Sequence, residues 1–176
     1  MNDNLLEIKN LSVEYRTYDG VVKALNQMNL TLPRGKTLGL VGETGAGKTT
    51  TALAIMGLVP NPPGVVTSGE ILFECRDLNK VDQKEFQKIR GNQISMIFQN
   101  PMTSLNPVYA VGHQLTGIIT LHQNLSKKDA EKKAGDMLEI VGIPRSRAGN
   151  YPHEFSGGMK QRVCIAMGLA CNPNLL

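Results

Sequence analysis

The chain has 176 residues, 41% of them hydrophobic and 19% charged, and a formal net charge of +4. A chain of this length can bury a core without disulfides or metals, and its composition argues against a disordered protein. Its three cysteines show no C-x-x-C spacing, which argues against a disulfide scaffold or structural zinc site and favours a reducing compartment. With no signal peptide and no apolar run near ~18 residues, secreted and membrane-spanning proteins are set aside as well.

The first half of the chain predicts mostly strands and turns. Apolar and polar residues alternate over 6–15 and 28–32, and Asp19-Gly20 between them is typical of a hairpin. The charge-free run 37–41 predicts a strand buried on both faces, as in a parallel sheet. Further strands are expected over 71–75 and 94–98.

Three helices are predicted with recognisable ends. The first runs from about Thr49 to Leu58 and stops before the prolines that follow. The second begins at the capping-box pair Ser126 and Asp129 and ends at Gly142. The third begins near Ser156. One face of the second helix is apolar, with residues Ala130, Ala134, Met137, Leu138 and Val141.

Residues 42–49, Gly-Glu-Thr-Gly-Ala-Gly-Lys-Thr, match the phosphate-loop pattern G-x-x-x-x-G-K-[ST] at every fixed position. A loop that turns its N–H groups around a phosphate needs glycines, because side chains obstruct that backbone conformation. The helix that follows points its positive end at the anion. Lys48 can reach the β- and γ-phosphates, and the Thr49 hydroxyl can bind Mg²⁺. The predicted contacts with ATP are Gly42, Glu43, Thr44, Gly45, Ala46, Gly47, Lys48, Thr49 and Thr50.

Two further segments carry a family resemblance. Gln99–Pro107 reads QNPMTSLNP and Phe155–Arg162 reads FSGGMKQR. With the phosphate loop upstream, they resemble the nucleotide-binding subunit of ABC transporters, in the dipeptide, oligopeptide and nickel importer branch. The resemblance covers about Leu5 to Leu176. It implies an α/β fold: a P-loop NTPase core with an N-terminal antiparallel β subdomain and an inserted helical subdomain, divided as 1–91, 92–155 and 156–176.

The resemblance also assigns roles outside the loop. It implies that Tyr15 stacks on adenine, although Tyr18 is a rival and Tyr15 could be an ordinary hairpin aromatic. The resemblance implies that Gln99 contacts Mg²⁺ or the attacking water, which makes it the second predicted catalytic residue together with Lys48. It also implies that Gln99 links the nucleotide state to the membrane partner. The alternative for Gln99 is a solvent-facing loop residue.

Ser156, Gly157 and Gly158 match the family's signature motif. The resemblance implies that they bind the γ-phosphate of ATP held by a second ATP-binding subunit, identical or different, so that two domains enclose two ATP molecules. By itself the segment also fits a simple helix cap. Phe155 and Met159 replace the more common Leu and Gln, and this departure matches the peptide-importer branch.

Residues 92–126 contain no Asp, Glu, Lys or Arg. They resemble the helical subdomain that docks on transmembrane permease subunits, while ordinary burial against the sheet fits equally well. The resemblance implies a peripheral protein at the cytoplasmic face of the membrane, with a solute-binding protein acting indirectly. His113 and His122 have no partner at metal-ligand spacing. A net charge of +4 without a basic stripe argues against a nucleic-acid partner.

In the family, an apolar strand ends in an Asp that holds Mg²⁺, a Glu general base follows it, and a switch His comes later. None of these positions falls within the 176 residues. We therefore expect a C-terminally incomplete domain that lacks a central strand and hydrolyses ATP poorly by itself. Two alternatives follow: a nucleotide-binding or dimerisation module without turnover, and a chain that does not fold stably alone.

Overall fold

The computed structural model describes residues 3–176, with the side chains of all of them except Pro101 and Met102. The chain divides into two compact units, the first ending at Phe86 and the second running from Gln87 to Leu176. The three-part division predicted from the resemblance, with boundaries at 91 and 155, stays a prediction.

The first unit is built on an antiparallel four-stranded sheet with the order β2-β1-β3-β4. Its strands are β1 (Asn4–Thr17), β2 (Gly20–Pro33), β3 (Gly64–Phe73) and β4 (Arg76–Asp77). The pairing of Thr17 with Gly20 confirms the hairpin predicted at Asp19-Gly20. A bulge at Asn10, with φ of 50°, shifts the register of β1 and keeps the apolar residues on one face. That buried face includes Leu6, Ile8, Leu11, Val13, Ile71 and Phe73.

Two of the predicted strands do not form. Residues 36–43 have no regular secondary structure, and Leu38, Leu40 and Val41 are exposed, Val41 to 94%. In place of a strand over 94–98, Ile94 makes isolated parallel bridges to Arg90 and Leu175. An apolar run becomes a buried strand only where partner strands supply its hydrogen bonds. Within residues 3–176, no ladder contains either run.

The strand predicted over 71–75 forms as the end of β3, which begins earlier, at Gly64, and stops two residues sooner, at Phe73. Ile71 and Phe73 are buried in β3, but Cys75 is exposed and lies in the turn before β4, with φ of 67°. The turn ends the strand because a left-handed residue cannot continue the extended backbone.

The predicted helices are confirmed within a few residues. In the first unit α1 (Lys48–Ile55) follows the glycine-rich loop, and a 3₁₀ turn forms at Leu78–Lys80. The next helix, α2 (Gln83–Ile89), contains the boundary between the two units. The second unit contains α3 (Pro101–Ser104), α4 (Val111–His122), α5 (Lys127–Ile140) and α6 (Gly157–Leu169), with 3₁₀ turns at Arg145–Gly149 and Pro152–Glu154. Over the described range 3–176, no helix has the length and apolarity needed to cross a bilayer.

The core of the second unit lies between α4, α5 and α6. Its fully buried members include Leu115, Ile119, Leu138 and Val163. The Asp129 N–H donates to Ser126 Oγ at 3.2 Å, as the capping pattern predicts, and Gly142 follows the end of α5 with φ of 71°. The predicted apolar face of α5 is therefore the face that packs.

Candidate functional site

The phosphate loop forms an exposed turn that leads directly into α1. The Ala46 N–H donates to Glu43 O at 3.1 Å, and both Gly45 and Gly47 have positive φ, 88° and 83°. The first α-helical bond runs from the Thr51 N–H to Gly47 O at 2.8 Å. The N–H groups of residues 48–50 precede that bond and lie at the positive end of the helix. The loop and the helix together make a backbone site for an anion.

Gly47 anchors the loop on strand β2. A Cβ at this position would lie 2.6 Å from both Ala24 O and Leu25 Cδ2, so only glycine permits the approach. Thr51 fastens the next turn: its buried hydroxyl donates to Gly47 O at 2.9 Å and lies 3.2 Å from Met28 Sδ. The motif does not include Thr51, and nothing in the run Thr49-Thr50-Thr51 marks which hydroxyl faces inward.

Lys48 folds back over the loop. Its Nζ donates to Gly42 O and to Glu43 O, both at 2.6 Å. The ammonium group therefore lies at the loop with two neutral carbonyl acceptors. A polyphosphate offers charged oxygens in their place, and hydrogen bonds between two charged groups are the stronger kind.

Thr49 is exposed in the first turn of α1, and Thr50 is half-buried beside it. Mg²⁺ in nucleotide sites usually takes one or two protein oxygens and completes its shell with phosphates and water. The Thr49 hydroxyl oxygen can serve as one of these protein ligands, so the residues present fit the predicted Mg²⁺ ion.

The two candidate adenine-stacking tyrosines have different surroundings. Tyr15 is half-buried on β1, paired with Val22 on one side and Gly64 on the other. Its Cε1 lies 2.9 Å from where a Cβ on Gly64 would be, so the ring occupies space that the glycine leaves open. Tyr18 projects fully exposed from the hairpin turn. Stacking of Tyr15 on adenine stays a prediction, with Tyr18 as the alternative.

Gln99 belongs to the second unit, in the irregular segment before α3, and its side chain is exposed. The carbonyl oxygen of the next residue, Asn100, accepts from Thr103 Oγ1 at 3.2 Å and from Ser104 Oγ at 3.1 Å. Exposure leaves Gln99 accessible to a ligand, while its catalytic and metal-binding roles stay predictions.

Ser156 is the N-cap of α6. The Met159 N–H donates to Ser156 Oγ at 3.3 Å, so the simple helix cap anticipated as an alternative is present. Gly157 and Gly158 are exposed, and a Cβ on either would meet no described atom within 4 Å. The start of α6 is therefore open to an approaching group, and its role as a second anion site stays a prediction.

The segment before Ser156 is held by a polar network that the motif does not include. The Arg147 guanidinium lies 5.0 Å from the centre of the buried Phe155 ring and donates to Glu154 O at 3.0 Å. The Glu154 carboxylate accepts from the Tyr151 N–H at 2.6 Å and from the Asn150 amide. The Tyr151 N–H holds the pKa of Glu154 below its usual value because it stabilises the charged carboxylate. Phe in place of the common Leu thus provides an aromatic face for Arg147.

Part of the uncharged segment, residues 92–126, is buried and another part is exposed. Leu115 and Ile119 lie in the core with α5 and α6, so part of the segment is buried between helices. Val108 and Tyr109 are 70% and 50% exposed. Beside them a groove of ≈ 690 Å³ runs between α4 and α5, and its lining includes Gly112, His113, Thr116, Thr120, Glu131 and Ala134.

Comparison of sequences identifies close relatives. The ABC transporter family model matches residues 25–176. The oligopeptide transport ATP-binding protein OppD of Bacillus subtilis is 53% identical over 174 residues, which are 98% of this chain and 49% of that protein. OppD of Escherichia coli is 49% identical, and the dipeptide transport protein DppD of Bacillus subtilis 47%, each over 99% of this chain and 52% of theirs. The chain therefore spans about half the length of these relatives.

Comparison of structures agrees. The dimeric ATP-binding cassette MJ0796 in a post-hydrolysis state, bound to ADP and Pi, superposes with a TM-score of 0.83 at 28% identity. The match covers 96% of this chain and 70% of that one, which agrees with the prediction of an incomplete domain. The strand order, the phosphate loop, the signature segment and these matches agree, and the chain belongs to the ABC transporter family.

Proposed function

We propose that the chain is part of the ATP-binding subunit of an ABC importer for peptides, which couples binding and hydrolysis of Mg-ATP to uptake. The observation that carries this proposal is the phosphate loop. Two glycines with positive φ, the free N–H groups of α1 and the Lys48 ammonium converge on one exposed turn. The printed names of the peptide-transport relatives support the substrate class.

Under this proposal the predicted site residues of the first unit have distinct roles. The backbone of residues 42–50 surrounds the polyphosphate, and Lys48 exchanges its carbonyl partners for phosphate oxygens. Thr49 supplies one oxygen to Mg²⁺, which neutralises phosphate charge when bound. Tyr15 offers a ring face to adenine.

The second unit supplies residues that would contact the nucleotide or its Mg²⁺ and residues that would contact ATP held by a second ATP-binding subunit. Gln99 would orient water or contact Mg²⁺, since its neutral amide is exposed and can both donate and accept. Ser156, Gly157 and Gly158 would bind the γ-phosphate held by the second subunit. The open start of α6 supports this role, because an anion there faces free N–H groups.

We assign docking on the transmembrane permease subunits to the exposed part of the uncharged segment. Val108, Tyr109 and the neighbouring groove form this docking surface. An aromatic and an aliphatic side chain beside a concave, mostly uncharged groove have the composition of an interface core. Under this proposal the protein acts at the cytoplasmic face of the membrane, and the solute-binding protein acts through the permease.

Replacing Lys48 by Ala tests the nucleotide site. The variant loses charge-assisted hydrogen bonds worth roughly 1.5–3 kcal/mol, so Mg-ATP affinity should fall about 10- to 100-fold. Titration of the full-length protein with a fluorescent ATP analogue measures this. Lys36→Ala, which removes an exposed lysine just after the turn at the end of β2, is the matched control and should bind normally. Equal affinity in both variants would refute the assignment.

A second candidate function is nucleotide binding or dimerisation without turnover by these 176 residues. No Asp or Glu follows Glu154 in the sequence, and the resemblance places the magnesium carboxylate and the general base after Leu176. Phosphate release by the chain separates the two candidates.

A further inference from the structure

The loop that joins α3 to α4 is held by one side chain of α4. Gln114 Oε1 accepts from the Asn106 N–H at 3.0 Å. Its Nε2 donates to Asn106 O and to Tyr109 O, both at 2.9 Å. Within the same loop, the Val108 N–H donates to Asn106 Oδ1 at 3.1 Å.

This pattern needs a carboxamide of this length. The Gln114 side chain presents one acceptor and two donors, and the loop backbone uses all three functions. A carboxylate has no donor for the two carbonyl oxygens, and an aliphatic side chain has neither function. We call this set of bonds between Gln114, Asn106 and Tyr109 the loop clasp.

The clasp sets the position of the docking surface. Leu105 is buried at one end of the loop, and the Val111 N–H donates to Asn150 O at 2.9 Å at the other. Between these anchors Val108 and Tyr109 project outward, and the Tyr109 ring lies 5.3 Å from that of His113. The loop presents apolar side chains to solvent, while Gln114 bonds the N–H and carbonyl of Asn106 and the carbonyl of Tyr109.

Fixing such a loop before binding reduces the entropy that association would otherwise cost. Ordering exposed side chains and backbone at the moment of docking lowers affinity, and a preorganised loop avoids that loss. We propose that Gln114 is a positioning residue of the docking surface: its carboxamide holds Val108 and Tyr109 in place before the permease is bound. This inference rests on the proposed docking function and deepens it.

Gln114→Met in the full-length protein tests the clasp, because methionine keeps the length of the side chain and removes its hydrogen bonds. Hydrogen exchange should speed up at the amides of Asn106 and Val108. The probe for docking is the transmembrane subunits of the Bacillus subtilis oligopeptide transporter in lipid nanodiscs. Affinity for it should fall about tenfold through the added ordering cost. Mg-ATP affinity should stay unchanged, and the melting temperature should stay near that of the wild type.

Gln114→Glu provides a readout that a purely structural residue would not give. Its carboxylate faces two carbonyl oxygens, which raises its pKa, and on protonation it gains one O–H donor. Protection of the Asn106 amide, corrected for intrinsic exchange, and affinity for the nanodiscs should both recover as the pH falls from 7.5 to about 5.5. The neighbouring titratable groups Tyr109 and His113 are also present in the wild type, which supplies the baseline over the same range.

Val108→Ser separates the inference from the function on which it rests. It removes an apolar contact and leaves the clasp, so it should weaken docking with normal exchange at Asn106. Weaker docking by Val108→Ser with full affinity in Gln114→Met would overturn the positioning role alone. If the wild type does not bind the nanodiscs, the proposed docking surface is contradicted. Hydrogen exchange tests the loop clasp separately: slow exchange at the Asn106 amide in Gln114→Met would overturn it.

Discussion

Gly45 and Gly47 both have positive φ, yet their surroundings differ. A Cβ on Gly45 would meet no described atom within 4 Å, whereas a Cβ on Gly47 would collide with Ala24 O and Leu25 Cδ2. The motif pattern marks both glycines as special, because the loop needs them for its backbone conformation. Only packing against β2 distinguishes the one from the other, and the pattern carries no information on that contact.

We expect Gly47→Ala to destabilise the full-length protein more than Gly45→Ala. Left-handed backbone costs a residue with a Cβ roughly 1–2 kcal/mol in either case. Gly47→Ala adds a clash with backbone that cannot move without shifting β2. Urea denaturation of the nucleotide-free proteins measures the difference. Equal midpoints would show that the approach to Ala24 is not limiting.

At the scale of elements, α5 and α6 begin in the same way. Each has a serine N-cap whose Oγ accepts from the N–H three residues on, at 3.2 Å for Ser126 and 3.3 Å for Ser156. The sequence predicts both starts because serine before an apolar helical pattern is a strong local signal. The Arg147 and Glu154 network before Ser156 was not predicted, since its partners come together only when the 3₁₀ turns fold.

The two serines should respond differently to substitution. Ser126→Ala and Ser156→Ala should each lower stability by about 1 kcal/mol, the usual value of an N-cap. If Ser156 also contacts γ-phosphate, only Ser156→Ala should weaken ATP-dependent dimerisation of the full-length protein, measured by light scattering. Identical dimerisation in both variants would reduce Ser156 to a helix cap.

At the scale of the whole molecule, the apolar residues Leu38, Leu40 and Val41 are exposed although the sequence predicts a buried strand there. These residues have the composition of a buried strand, but the described residues supply no partner ladder. The phosphate loop after them nonetheless forms, because it depends on the turn, on α1 and on β2. We therefore expect the nucleotide-binding loop to form whether or not residues 37–41 pair with another strand.

We expect the 176-residue chain to bind Mg-ATP and to release phosphate slowly. Nucleotide at a hundred times its Kd should stabilise the folded chain by about 2.7 kcal/mol, visible as a higher melting transition in circular dichroism. The Lys48→Ala variant, with the 10- to 100-fold lower affinity expected for it, should show a smaller shift of about 0.4–1.4 kcal/mol at the same nucleotide concentration. Rapid phosphate release that depends on Lys48 would contradict the candidate without turnover, and a chain with no cooperative transition would show that it does not fold alone.

The sequence by itself determined the phosphate loop, the start of α1, the ends of α5 and α6, the hairpin at Asp19-Gly20 and the family. These features depend on neighbours in the chain, where backbone conformation, capping and short spacing act directly. Tertiary structure alone decided that residues 37–41 join no strand ladder within residues 3–176, that Gly47 packs on β2 and that Gln114 holds the loop of Val108 and Tyr109. Each of these depends on a hydrogen-bonding or packing partner whose position becomes defined only when distant or looped segments fold together.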